Sequence, residues 1–392
     1  MDVIVMGSGV IGVTTAYLLA KDGHKVKVID RAFEPARETS FANGAQLSFS
    51  HIEPLSYKHS LKQFIAGLIK PGSFLTLGRI DKNLIRLISG LIKNSGKKKS
   101  LKIAKNLFEI GDISRKTLNQ LIKDEGIDFN YTNTGTLHIF RTNKSFASAK
   151  KFSKFQKSIG EKLEILSLMG CVEKEPTLIK MVESRTLKGG IFYPNDASGD
   201  PYLFSKELAK ICIEKYGVEF SFDDPIKNIL TDSKKITGVN CKNGVYRADK
   251  YIYCLGISGL PLLKGINIET GIFPTLGASL SLPVDPGDVA PKMALTDTDN
   301  RMVYSRIGST FRAAGGICIT KVDGVEKKMF KFIKKRLRDT FLSYGSVEKA
   351  LQWKNYRPSR SNSTPLICNV EKYQNLYLNT GHGHLGWTMS CG

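Results

Sequence analysis

Six residues near the N-terminus constrain this chain more than any others. Gly7-Ser8-Gly9-Val10-Ile11-Gly12 fits the pattern GxGxxG, and what flanks it gives the pattern meaning. Asp2–Met6, just before it, is a short apolar run suited to a buried parallel strand. Residues 10–22 then place Val10, Val13, Tyr17 and Leu18 at helical spacing, and Lys25–Ile29 reads as a second buried strand ending at Asp30, 18 residues beyond Gly12. In such a strand–helix–strand unit each part has a mechanical role. Gly7 permits the tight turn, and Gly9 lets backbone amides approach a pyrophosphate. Gly12 lets the helix pack close to the strand, and the helix N-terminus stabilises the phosphates. The Asp30 carboxylate accepts hydrogen bonds from an adenosine ribose. The motif alone does not separate FAD from NAD.

Length and composition narrow the classes around that unit. The chain has 392 residues, 41% of them hydrophobic, enough for a large core and more than one domain. A disordered tail, a disulfide-stapled miniprotein and a collagen-like rod are excluded. Lys and Arg number 58 against 36 Asp and Glu, a net charge of +22, which favours nucleic acid, anionic lipid or acidic small molecules as partners. The seven cysteines are scattered without a CxxC pair, as in a reduced, cytoplasmic protein. Gly7, Gly9 and Gly12 interrupt the apolar N-terminus, and Asp2 stands where a signal peptide would be basic. Neither a secretory signal nor a membrane-spanning helix is expected.

Residues 58–107 differ in character. They hold twelve Lys or Arg, from Lys58 to Lys105, against the single acid Asp81, with aliphatics interleaved at helical spacing and Lys97–Lys99 near the end. Such a stretch reads as a solvated helical face, as an amphipathic segment for an anionic membrane surface, or as a nucleic-acid contact. The last has no zinc-finger, helix-turn-helix or RNP-type motif behind it, and no nucleic-acid partner is expected. Further on, strands are expected at Thr134–Arg141, Gly189–Tyr193, Val218–Phe222, Gly238–Lys242, Asp249–Leu255 and Met302–Arg312, and helices at Tyr202–Tyr216 and Lys327–Leu342.

Two segments lean toward flavin. Glu38-Thr-Ser-Phe-Ala-Asn-Gly44 is rich in small polar residues that suit a ribityl chain or a phosphate. The C-terminal Asn379-Thr-Gly-His-Gly-His-Leu-Gly-Trp-Thr388 offers backbone amides to an isoalloxazine edge. His382 and His384 alternate like a metal pair but lack a third ligand nearby, and no metal is expected.

Taken in order, these blocks make the chain resemble the FAD-dependent D-amino-acid oxidase superfamily, and within it the D-amino-acid dehydrogenase small-subunit group. The likeness runs through Val3–Val13, Gly23–Arg31, Glu38–Asn43, Gly135–Thr142, Pro194–Asp200 and Leu376–Gly392. It implies an α/β protein with a discontinuous Rossmann-type FAD-binding domain (residues 1–57, 143–262 and 350–392). A second α+β substrate domain built on a mixed sheet would take residues 58–142 and 263–349. It implies FAD bound by Val3, Gly7, Ser8, Gly9, Val10, Ile11, Gly12, Tyr17, Asp30, Arg31, Ser40, Asn43, Gly44, Gly256, Gly381, Gly383, Gly386, Trp387 and Thr388. The activity implied is oxidative deamination of D-amino acids such as D-alanine to 2-oxo acids and ammonia. Hydride would pass from Cα to flavin N5, and electrons onward to a quinone or another acceptor, with the protein cytoplasmic or peripheral on the inner face of the plasma membrane. The resemblance also implies that Arg357 is the substrate-carboxylate arginine; Arg306 and Arg312 are read as surface or structural, and His51 as a bystander.

The chain departs from the pattern in three places. Asn43-Gly44-Ala45-Gln46 moves the flexible glycine by one residue, and Asn362 and Ser363 replace an acid and a glycine. The sequence also stops at Gly392, where the family continues with a helix whose N-terminus is aimed near the flavin. Two further functions stay open on these grounds. One is an oxygen-using D-amino-acid or glycine oxidase; the other is an inactive paralogue serving as a binding or subunit module.

Overall fold

The computed structural model describes residues 1–69, 73–76, 82–285, 287–288, 290–319, 324–342 and 346–392. Lys70, Arg79 and Asp81 of the basic segment lie outside them.

The N-terminal unit forms as its pattern requires: β1 (Asp2–Met6), α1 (Val10–Lys21) and β2 (Lys25–Ile29), with β1 and β2 parallel. A Cβ on Gly12 would stand 1.9 Å from the Gly7 carbonyl oxygen, so only glycine lets α1 lie this close to β1. β1 is central in a six-stranded sheet ordered Leu366–Val370, Tyr373–Thr380, Lys250–Tyr253, β1, β2 and Glu219–Ser221; only the Leu366–Val370 edge pairs antiparallel. A strand covered on both faces is apolar throughout, as Val3, Ile4, Val5 and Met6 are: Val3 and Val5 face helices, while Ile4 and Met6 pack on the three-stranded sheet of Ile226–Asp232, Lys235–Cys241 and Val245–Tyr246. α1 and the helix Pro201–Tyr216 cover one face, joined by the C-terminal half of the 29-residue α4 (Lys97–Glu125) through Leu118 and Leu121.

The second sheet is larger and mixed. Eight strands run in the order Leu351–Ser359, Phe273–Pro283, Thr310–Cys318, Met302–Ile307, Ala294–Asp297, Thr136–Phe140, Gly189–Tyr193 and Glu164–Leu166, and Leu75–Thr76 pairs with Thr310–Cys318. The basic helix Val325–Thr340 packs on it through Val325, Met329, Ile333 and Leu337. Between the sheets, α2 (Lys58–Ile69) and α3 (Lys82–Lys93) form a small hydrophobic cluster of their own, with Phe64, Phe74, Leu84, Leu87, Leu91 and Phe273.

Two sequence expectations need correction. Met302–Arg312 is a hairpin rather than one strand: Gly308, at φ +56°, turns the chain between Met302–Ile307 and Thr310–Cys318. The domain partition also shifts. Glu164–Leu166, Gly189–Tyr193 and Leu351–Ser359, expected in the dinucleotide-binding part, are hydrogen-bonded into the mixed sheet. α4, expected in the other part, shares its C-terminal half with the core around β1. Alternating strands look alike in sequence whichever sheet they join, because partners far along the chain set the choice.

Candidate functional site

A long cleft opens at the carboxyl ends of the parallel strands, where an open α/β sheet exposes backbone groups. Gly7 follows β1, Asp30 follows β2, Cys254–Gly256 follow Lys250–Tyr253, and Gly381–Gly383 follow Tyr373–Thr380; all but Gly381 line the first part of the cleft. That part is also lined by Gly9, Val10, Ile11, Arg31, Ser40, Asn43, Gly386, Trp387 and Arg357. Beyond Asn43, Arg357, His382, Gly383, His384 and Trp387, which border both parts, the cleft continues between the sheets past Gly44, Gln46, Gly381 and Thr388.

The expected cofactor residues thus divide. Most line the cleft. Ser8 and Gly12 shape it from behind: Ser8 donates from its backbone N at 2.5 Å and from Oγ at 2.8 Å to Asp30 Oδ2, while Ala32 N donates to Oδ1 at 2.9 Å. Val3 and Tyr17 are core residues, 3% and 1% exposed, and the Tyr17 hydroxyl donates to Glu125 instead. Ser40 Oγ accepts from Val10 N at 3.1 Å, tying the polar loop to the start of α1. Asn43 Oδ1 accepts from Ala45 N at 2.8 Å, and Ala45 takes up the left-handed conformation, φ +59°, that the displaced glycine would otherwise supply. Gly44 cannot trade places with it, since a Cβ there would lie 2.5 Å from Val303 Cγ2.

The walls fit a dinucleotide. A Cβ on Gly9 would touch only Ser40 Oγ, at 3.6 Å, and one on Gly256 would meet nothing within 4 Å, so both point bare backbone at open space. Among the described residues, three buried polar atoms of this lining have no hydrogen-bond partner: Asn379 Oδ1, His382 Nε2 and Trp387 Nε1. Buried polar atoms are seldom left unpaired without a ligand or water to meet them. Trp387 packs against a tilted Phe204 and an edge-on Phe129, with ring centroids 4.8 and 5.9 Å away.

Arg357 lies where the two parts of the cleft meet. Its strand pairs with Phe273–Pro283, Arg357 opposite Thr275, and its guanidinium lies over Gly277. Burial pushes its pKa down with no acid to offset it, and among the described residues its side chain has no hydrogen-bond or ion-pair partner. Arg301 is different. It too lines the cleft, from a turn where it holds φ +52°, but Nη2 donates to Ser60 Oγ at 3.0 Å and to Gln63 Oε1 at 3.2 Å. Ser60 in turn donates to Glu53, so the Arg301 charge is met inside the protein. Arg312 is structural, bonding Ser281 Oγ at 3.0 Å and pairing with Asp200 at 3.8 Å; Arg306 donates to the Gly308 carbonyl near the surface.

Histidines concentrate here, five of the six in the chain lining the cleft or the small polar chamber beside it. His51 borders both spaces, with ring centroids 5.3 Å from His384 and 5.7 Å from His138. Burial pulls His51 and His382 down to about 4 and holds His138 well below the usual imidazole range; His384, exposed at the cleft, is lowered in the same direction by desolvation at the cleft walls and by His51, Arg357 and Arg301. His51, His138 and His382 are neutral at physiological pH. Sequence reading set His51 aside and did not single out His138 or Arg301, because their convergence depends on pairing between elements a hundred or more residues apart.

Comparison with known proteins adds to this geometry. The FAD dependent oxidoreductase (DAO) family profile matches residues 2–392. The D-amino acid dehydrogenase of Vibrio cholerae is 32% identical over 394 residues, covering the whole chain and 93% of that protein. Among solved structures, glycine oxidase from Bacillus cereus superposes with a TM-score of 0.71 at 21% identity, over 100% of this chain and 94% of the other. L-alpha-glycerophosphate oxidase from Mycoplasma pneumoniae, solved with FAD bound, gives 0.73 at 16% identity, over 100% and 91%.

Proposed function

The chain belongs to the FAD-dependent oxidoreductase family, and from that premise we propose that it oxidises D-amino acids to 2-oxo acids and ammonia. The observation that carries this reading is Arg357, a half-buried guanidinium with no partner among the described residues, at the junction of the dinucleotide cleft and the space between the sheets. A planar fork left without an internal acid is suited to take a ligand carboxylate bidentately.

FAD, when bound, supplies the two-electron acceptor for the substrate's Cα–H and amine. Gly7, Gly9, Asp30, Ser40, Gly256, Asn379, His382 and Trp387 would hold it. The rest falls to positioning. Arg357 fixes one end of the substrate, so that only rotation about the carboxylate axis remains to be restricted. The neutral imidazole of His51 adds no cation beside the substrate amine. Trp387 and the packed α2–α3 cluster close the cleft's flanks against bulk water.

Electrons would leave to a quinone or another acceptor, and the surface of α3 and α4 supports a visit to an anionic membrane. Ile85 and Ile92 are exposed one helical repeat apart, beside Arg86 and Lys93, and the exposed Lys97–Lys99 follow. Among the described residues no helix is long and apolar enough to cross a membrane.

The test is an anaerobic visible spectrum of the FAD-loaded protein before and after adding D- or L-amino acids. Bleaching of the flavin band near ~450 nm by D- but not L-enantiomers is expected, the band being a property of the cofactor. A flavin that no D-amino acid reduces would sink the reading. Re-oxidation in air with peroxide release would favour the oxidase alternative.

A further inference from the structure

The end of the cleft farthest from the dinucleotide has its own composition. Phe64 of α2, Phe74, Leu87 of α3, Phe273 and Ile317 of the mixed sheet, and Ile319 just past its strand line it. They belong to the separate α2–α3 cluster rather than to either large core. An apolar ligand group laid against this wall gains from leaving solvent.

Charge sharpens the picture. Of the three guanidiniums that line this part of the cleft, Arg357 makes no side-chain hydrogen bond among the described residues, while Arg301 donates to Ser60 and Gln63 with Glu53 behind them and Arg360 donates to the Thr364 carbonyl at 2.9 Å. Among the described residues the cleft therefore offers one guanidinium left unengaged, Arg357, and, beyond it, an apolar wall; Arg301 and Arg360 already donate to the protein.

Building on the D-amino-acid reading above, we propose that the cleft selects amino acids whose side chains are bulky and apolar, of leucine, methionine or phenylalanine size, over alanine and over acidic ones. An alanine methyl is too short to displace the solvent along the Phe64–Leu87 wall. A leucine side chain exchanges that solvent for packing against it. Pockets of this kind discriminate by roughly 10- to 200-fold for each methylene they bury.

The test compares kcat/KM of the FAD-loaded enzyme for D-leucine, D-phenylalanine, D-alanine and D-aspartate, with an artificial dye as acceptor. It is paired with binding of two inert acids, 4-methylpentanoate and propanoate, followed by perturbation of the flavin spectrum. D-Leucine is expected to exceed D-alanine by at least about 10-fold, D-aspartate to be the poorest substrate, and 4-methylpentanoate to bind at least about 10-fold tighter than propanoate. Leu87→Ala should lose more with D-leucine than with D-alanine. Equal or better use of D-alanine, with equal binding of the two acids, overturns the proposal. So does a Leu87→Ala variant that raises the KM of the acceptor and leaves the amino-acid ranking alone, since the wall would then serve the acceptor. If no D-amino acid is oxidised, the functional reading falls, and the two inert acids still decide whether the cleft prefers an apolar chain.

Discussion

The Arg357 guanidinium rests on Gly277, and any side chain at that position would displace it. A Cβ built on Gly277 would stand 2.6 Å from Nη2 and 2.7 Å from Cζ of Arg357. Gly277 and Arg357 are diagonal neighbours on paired antiparallel strands, so both present the same face of the sheet. The colliding atoms are the far end of a flexible side chain, so Gly277→Ala should move the arginine rather than break the fold. We expect its substrate KM to rise at least about 10-fold, toward that of Arg357→Lys, because a misplaced fork loses its bidentate geometry. Melting temperature and flavin content should stay near wild type. Unchanged KM in both variants would remove Arg357 from the substrate site.

The glycines of the N-terminal turn should fail in different ways. Gly12→Ala would place a methyl 1.9 Å from the Gly7 carbonyl oxygen, a backbone clash that no rotamer change relieves. It should cost several kcal/mol, judged from overpacking penalties of about 1–3 kcal/mol where side chains alone must yield. Gly9→Ala meets only Ser40 Oγ at 3.6 Å, so the apo-protein should melt as the wild type does while FAD binds at least about 10-fold more weakly, its phosphates held off the backbone. Thermal melts of the apo-forms and FAD titration separate the two cases; equal FAD affinity for Gly9→Ala and wild type would mean the phosphates lie elsewhere.

How much of this was legible in the sequence follows from the range of each interaction. The β1–α1–β2 unit is local, and its glycines and Asp30 declare themselves at fixed offsets. The resemblance gives Val3 and Tyr17 cofactor roles too, yet β1 and α1 turn them into the core. The site proper is long-range. Arg357 comes to its place through pairing with Thr275, and His138 meets His51 through strands and loops 87 residues apart in the chain, which no periodicity reports. The resemblance supplied Arg357; it was silent on Gly277, whose role appears only when the strands are paired.

Glu161 gives a stability signal with a defined sign. Burial, with Asp196 nearby, raises its carboxyl from 4.5 to about 7. Below pH 4.5 it is protonated in both folded and unfolded chains and costs nothing. As pH rises past 7 the folded chain must hold a buried carboxylate that the unfolded chain ionises freely, so stability falls between those limits. Glu161→Gln removes that cost. At pH 8 the variant should gain about 2 kcal/mol more than at pH 5, after allowance for partial solvent access. Denaturant unfolding at the two pH values measures it, and an equal effect at both would show that Glu161 is not held protonated.

The basic surface makes a prediction of a different kind, on association rather than chemistry. Lys97, Lys98 and Lys99 are exposed at the start of α4, and Ile85 and Ile92 project from α3 at positions seven apart while Leu84, Leu87 and Leu91 of the same helix face inward. The inward stripe keeps the helix docked, which leaves the outer isoleucines free to enter a headgroup layer that the lysines attract. Each lysine near an anionic bilayer is worth about 1 kcal/mol, so replacing all three with glutamine should weaken binding to phosphatidylserine vesicles on the order of 100-fold. Raising the salt to 0.5 M on the order-of-magnitude argument of charge screening should weaken the wild type similarly. Ile85→Ser with Ile92→Ser should reduce the binding that survives high salt, because that residue is apolar insertion rather than attraction. None of these five side chains lines the cleft, so dye-linked turnover in solution should be unaffected. Co-sedimentation that is the same for wild type and the triple-glutamine variant would show that the charge of this surface serves solubility and not a membrane.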